Sequence, residues 1–160
     1  MATLVTSGRA GLAASVKARN IFLGIGSGQT SWDSSLPSEA TSSTSLNNPI
    51  GYRKSTQADF VTTDANGAIT LPSGNYTVSS SETNLLYIKF QLQFEDANTS
   101  TIRETGIFLD TVVDSSLPSG QMFFTSSEVS STGTLYLIEH IASVIRTPAT
   151  RESFEFVLTF

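Results

Sequence analysis

Hydrophobic and polar residues alternate along much of this chain with the two-residue period of a β-strand. The run Glu152 to Phe160 puts Phe154, Phe156, Leu158 and Phe160 on one face. Leaving each of these in water would forgo roughly 1.5–3 kcal/mol. That face is therefore expected to meet a core or a partner, with the chain ending inside its fold. Leu85 to Phe94 repeats the pattern, with Ile88, Phe90, Leu92 and Phe94 on an apolar face and Tyr87, Lys89, Gln91 and Gln93 on a wet one. Asn20 to Gly26 is almost wholly apolar, as a buried strand is, and leaves through Gly26-Ser27-Gly28.

Shorter alternating runs at 52–63, 68–71, 76–79, 102–111 and 121–126 predict further strands. Asn66-Gly67 suits a tight hairpin turn after the first of these, and Pro72-Ser73-Gly74-Asn75 a second turn. Leu135 to Ile145 fits both a helical stripe and a buried strand. As a strand it would fold back through Thr147-Pro148-Ala149-Thr150 to form a hairpin with the last strand.

Two segments break the strand period. Thr6 or Ser7 is placed to cap a short helix reaching about Arg19, with Leu12 and Val16 one turn apart; residues 1–20 form this helical segment. Residues 29–49 are rich in Ser and Thr, with Trp32, Leu36 and Leu46 as their large apolar side chains. A loop of about twenty residues inside a compact domain is usually functional or meets a neighbour. The whole predicts a mainly β fold: one antiparallel β-sandwich or barrel-like domain over residues 1–160, carrying a short N-terminal α-helix.

Composition narrows the function. Only 14% of residues are charged and the net charge is −5, which disfavours nucleic acid, since phosphate binding needs a basic face. With no cysteine and a single histidine, thiol catalysis is excluded and no metal site or other cofactor is expected. No apolar run is long enough to insert in a membrane, and residues 1–20 lack the core of a signal peptide, so synthesis in a cytoplasm is expected. The sequons at Asn75 and Asn98 are accordingly incidental.

No catalytic residues emerge. Gly24-Ile25-Gly26-Ser27-Gly28 lacks the Lys-Ser/Thr pair of a phosphate loop and reads as a strand exit needing positive φ or close approach. Glu104 and Asp110 lie on one predicted strand but about 20 Å apart, too far for a glycosidase pair; they read as solvated acids. His140 has no nucleophile elbow to serve and reads as a structural or surface histidine.

Several short motifs occur in a telling order. They are Thr6-Ser7-Gly8-Arg9-Ala10-Gly11-Leu12-Ala13-Ala14, then Gly24-Ile25-Gly26-Ser27-Gly28, then Leu46 and Tyr52-Arg53, then Arg103-Glu104-Thr105-Gly106-Ile107-Phe108-Leu109. Together they resemble the tail-collar or tail-fibre N-terminal family of contractile-tailed bacteriophages over most of the first 110 residues. Pro49 and extra residues before Tyr52 depart from the family's run. In that family the domain fixes a receptor-binding fibre to the baseplate and continues into the fibre; here the chain is expected to stop about where the fibre would begin. The resemblance implies structural positions at Gly8, Gly24, Gly26, Gly28, Glu104, Gly106 and Phe108.

The expectation is a non-enzymatic structural protein of a phage tail virion, an adaptor at the baseplate or tail-fibre attachment. Its partners would be other tail and baseplate proteins and tail fibres, and it would form a homo-oligomer in a symmetric assembly. Candidate interface residues are Leu12, Val16, Trp32, Leu36, Leu46, Tyr52, Arg53, Phe154, Phe156 and Phe160. The alternative is a carbohydrate-binding β-sandwich for a host-surface glycan, stacking sugars on Trp32, Tyr52 or Tyr76. A hydrolase built on Glu104 ranks third.

Overall fold

The computed structural model describes every residue from Met1 to Phe160. It is mainly β with an N-terminal helix and antiparallel sheets, as the alternation predicts. After α1 (Thr6–Lys17) come β1 (Ile21–Gly26), β2 (Pro49–Lys54), β3 (Gln57–Thr63), β4 (Ile69–Leu71), β5 (Gly74–Val78) and β6 (Leu85–Leu92). The second half supplies β7 (Thr101–Leu109), β8 (Val112–Val113), β9 (Phe123–Thr125), β10 (Val129–Ser131), β11 (Thr134–Ile145) and β12 (Glu152–Thr159). Contacts divide the chain into two compact units, each assembled from separate segments.

The first unit comprises Met1–Arg19, Ser55–Phe90 and Ser153–Phe160, and its sheet runs β12-β6-β3-β5-β4. Val61, Tyr76 and Tyr87 form a core cluster with Ile69, Leu71, Leu85 and Val157 around it. Ile88 and Phe90 are fully buried as predicted, and Phe156 meets Phe90 edge-on at 6.2 Å between centroids. The wet face of β6 is wet only in part. Tyr87 is buried, its hydroxyl donating to Glu155 at 3.0 Å, and Lys89 pairs with the same carboxylate at 3.1 Å. Glu155 and Val157 of the neighbouring strand β12 thus share that face with Tyr87 and Lys89.

The helix differs from its prediction in two respects. Its N-cap is Val5, and no side chain caps it. Ala13 and Val16 face inward while Leu12 is exposed; Lys17 extends over the Phe60 ring and reaches Asp59. The Asn66-Gly67 hairpin is also corrected. Neither residue has positive φ, and β3 pairs with β5, from Val61 opposite Val78 to Thr63 opposite Tyr76. Asp64 holds the turn instead, accepting from the Asn66 N–H at 3.0 Å and the Thr77 hydroxyl at 2.7 Å. The tight hairpin is the next one, β4 to β5 across Pro72-Ser73.

The second unit comprises Asn20–Lys54 and Gln91–Glu152. Its main sheet runs β11-β7-β1-β2-β9, with the short pair β10-β8 beside it. Four aromatic side chains, Phe22, Tyr52, Phe108 and Phe124, make a core cluster with Leu46. Leu135 to Ile145 is a strand, but its residues are at most half-buried, because β11 is an edge that touches β7 on one side only. The predicted β11–β12 hairpin does not form, and the two strands belong to different sheets. Arg146 ends β11: its buried guanidinium donates to the Gln93 carbonyl at 2.7 Å and the Thr150 carbonyl at 3.1 Å, which ties the turn down in place of a ladder.

Candidate functional site

The motif glycines of β1 and β7 are direct neighbours: Gly24 pairs with Gly106, and Gly26 with Glu104. A methyl group on Gly24 or on Gly106 would lie 3.0 Å from a Leu46 methyl. The two bare positions therefore form a seat into which Leu46 drops, fixing the far end of the 29–49 loop in the core. Phe108 packs beside the same seat, and a methyl on Gly24 would strike its ring. Gly28 has φ +55 and lies against the Trp32 ring, as the strand exit required. Gly8 abuts Leu4 within the helical segment.

Over this floor the loop is fastened by its own acids. Residues Thr30–Asp33 make one 3-10 turn. Arg103 grips Asp33 with two bonds of 2.8 and 2.7 Å and donates a third to the Ser27 carbonyl at 3.1 Å. That grip holds the Asp33 carboxyl below its ordinary range and raises the Arg103 guanidinium. Glu39 accepts the His140 backbone N–H at 3.0 Å, which lowers its carboxyl too. The His140 ring lies 4.6 Å from Trp32 between centroids, and its Nδ1 lies 2.8 Å from the Pro37 carbonyl. A carbonyl only accepts, so Nδ1 carries the proton.

Glu104 is corrected from a solvated acid to a buried one. It is 1% exposed, because β7 lies between β11 and β1 and the loop closes over its face. Burial raises its carboxyl above the ordinary glutamate range, against the opposing pull of the Asn47 backbone N–H and of His140. Its Oε2 stands 3.9 Å from His140 Nε2, and its Oε1 has no hydrogen-bond partner. A pocket of about 280 Å³ opens here, lined among others by Trp32, Ser38, Ser45, Asn47, Glu104 and His140.

The other sequence candidates fall in two groups. Val16, Leu46, Tyr52 and Arg53 are buried in the protein's own packing. Arg53 pairs with Asp96 at 3.0 Å, and Asp96 also accepts the Gln93 N–H at 2.8 Å. Tyr52 and Tyr76 offer no ring face to a sugar, being 3% and 6% exposed. Leu12 and Leu36 stand in solvent, while Trp32, Phe154, Phe156 and Phe160 are half-buried. Sequence reasoning overlooked Asp33, Glu39, Asp96 and Arg146. The available signal was a loop carrying acids opposite a strand carrying Arg103.

No three His, Cys, Asp or Glu side chains are grouped so as to hold a metal ion. No helix is long and apolar enough to cross a membrane. No curated protein matches the sequence significantly. The sequence model of the family described as baseplate wedge 3 tail fiber network component matches residues 1–160. The chain therefore belongs to that family of phage tail structural proteins, in agreement with the phage-tail resemblance read from its sequence.

Proposed function

We propose that the protein is a non-enzymatic adaptor in the baseplate, holding neighbouring tail proteins and fibres by protein–protein contacts and present in several copies about a symmetry axis. One observation carries this. Leu4, Val5 and Leu12 are 50%, 60% and 46% exposed, so the N-terminal segment and its helix present large apolar side chains to solvent. They accompany a recess of about 610 Å³ in the same unit, lined by Thr6, Ala10, Val61 and Leu85 among others. Large apolar side chains left exposed on one segment suit a partner contact. The pinned loop, with Leu36 45% exposed, supports the reading as a second pre-organised surface.

The test is a Val5→Glu/Leu12→Glu double variant. Both positions face solvent, so the protein should melt where the wild type does. It should nevertheless be missing from assembled tails when their proteins are quantified by mass spectrometry. Normal incorporation would remove the helix from the interface, and a strictly monomeric wild type that captures no purified tail protein would sink the adaptor role.

A further inference from the structure

We propose that the pocket under the 29–49 loop is a socket for one basic side chain, a lysine or an arginine, offered by a neighbouring tail protein. The proposal rests on the adaptor reading and specifies its partner's chemistry. Size comes first: about 280 Å³ falls just below the roughly 300–1,000 Å³ of small-molecule sites and suits a single inserted group.

Charge comes second. Glu104 brings a carboxylate to the lining, and no lysine or arginine lines the pocket. Arg103, the next residue in the strand, turns its guanidinium to Asp33 and the Ser27 carbonyl instead.

Hydrogen bonding comes third. The proton on His140 Nδ1 faces the Pro37 carbonyl, and Nε2 lies 3.9 Å from Glu104 Oε2. Glu104 Oε1 is buried without a hydrogen-bond partner. A buried acceptor lacking a donor is unfavourable, and an ammonium or guanidinium brings several donors at once. A sugar fits less well, since His140 lies against the Trp32 ring at 4.6 Å between centroids and would compete for its face.

The experiment titrates the isotope-labelled full chain with Nα-acetyl-lysine methylamide, its arginine counterpart and the uncharged norleucine analogue, following the Trp32 indole and His140 imidazole resonances. Both basic probes should give saturable shifts and norleucine none, and Glu104→Gln should weaken the basic probes by at least about tenfold. Flat titrations, equal shifts with norleucine, or shifts with a methyl glycoside but not with the basic probes would overturn the socket. If Glu104→Gln fails to fold, the wild-type comparison of lysine with norleucine still decides. A protein that joins tails normally but titrates flat refutes the socket alone; one that binds the lysine probe yet never enters a tail refutes the adaptor role alone.

Discussion

Gly26 and Glu104 face each other across β1 and β7, so closely that a methyl group on Gly26 would lie 2.7 Å from Glu104 Cγ. The glycine makes room for the glutamate, and the glutamate needs that room because the loop shuts it from water.

Gly26→Ala should therefore destabilise the protein by about 1–3 kcal/mol, as overpacking does. Urea unfolding measures the loss. Combining it with Glu104→Ala should give a double variant less damaged than the sum of the singles, because the clash is gone. Strict additivity would mean the two residues do not press on each other.

Asp96 neutralises Arg53 where both side chains are nearly out of solvent, at 12% and 8% exposure. Asp96→Ala leaves a buried guanidinium without its carboxylate, and about 3–5 kcal/mol should be lost. Arg53→Met with Asp96→Leu should recover much of that in the same unfolding measurement. A loss well under 1 kcal/mol for Asp96→Ala would show that water reaches Arg53.

The Arg103 grip on Asp33 is open to solvent on the aspartate side, which is 42% exposed. Such pairs add little to global stability, but this one anchors a loop. Asp33→Asn should leave the melting temperature almost unchanged while amide exchange across 30–39 speeds up. Unchanged exchange would assign the anchoring to Leu46 and His140.

Glu104 also gives stability a pH signature. Its folded carboxyl is raised above the ordinary value of 4.5 by burial, so its contribution is whole below that value and is lost as pH rises through the folded one. Asp33 and Glu39 act with the opposite sign, since theirs is present above their ordinary values and lost as pH falls. Glu104→Gln should flatten the decline above pH 4.5 and leave the acid limb alone. A decline that persists in the variant belongs to another group.

Much of the fold was legible because burial imposes a period. Ile88, Phe90 and Leu92 alternate and are all fully buried, whereas 135–145 fits a helix as well as a strand and only the structure makes it a strand. The glycines of β1 were legible as close-approach sites. The partners were not. Leu46, read as a candidate interface residue, seats on Gly24 and Gly106 from a distant loop, and Tyr87, placed on a wet face, is covered.

By itself, then, the sequence determined the class of fold, strands along the alternating runs, the helix at the N-terminus, and the resemblance to a phage tail structural family. Those properties follow from local spacing and from the residue types present. Only the tertiary structure decided which strands are neighbours, and hence that Glu104 is buried, that β11 and β12 part company, and that His140, Trp32 and Glu39 meet. Pairing depends on which distant backbone and side-chain groups satisfy one another, as Arg146 does for the Gln93 and Thr150 carbonyls, and no period along the chain encodes that.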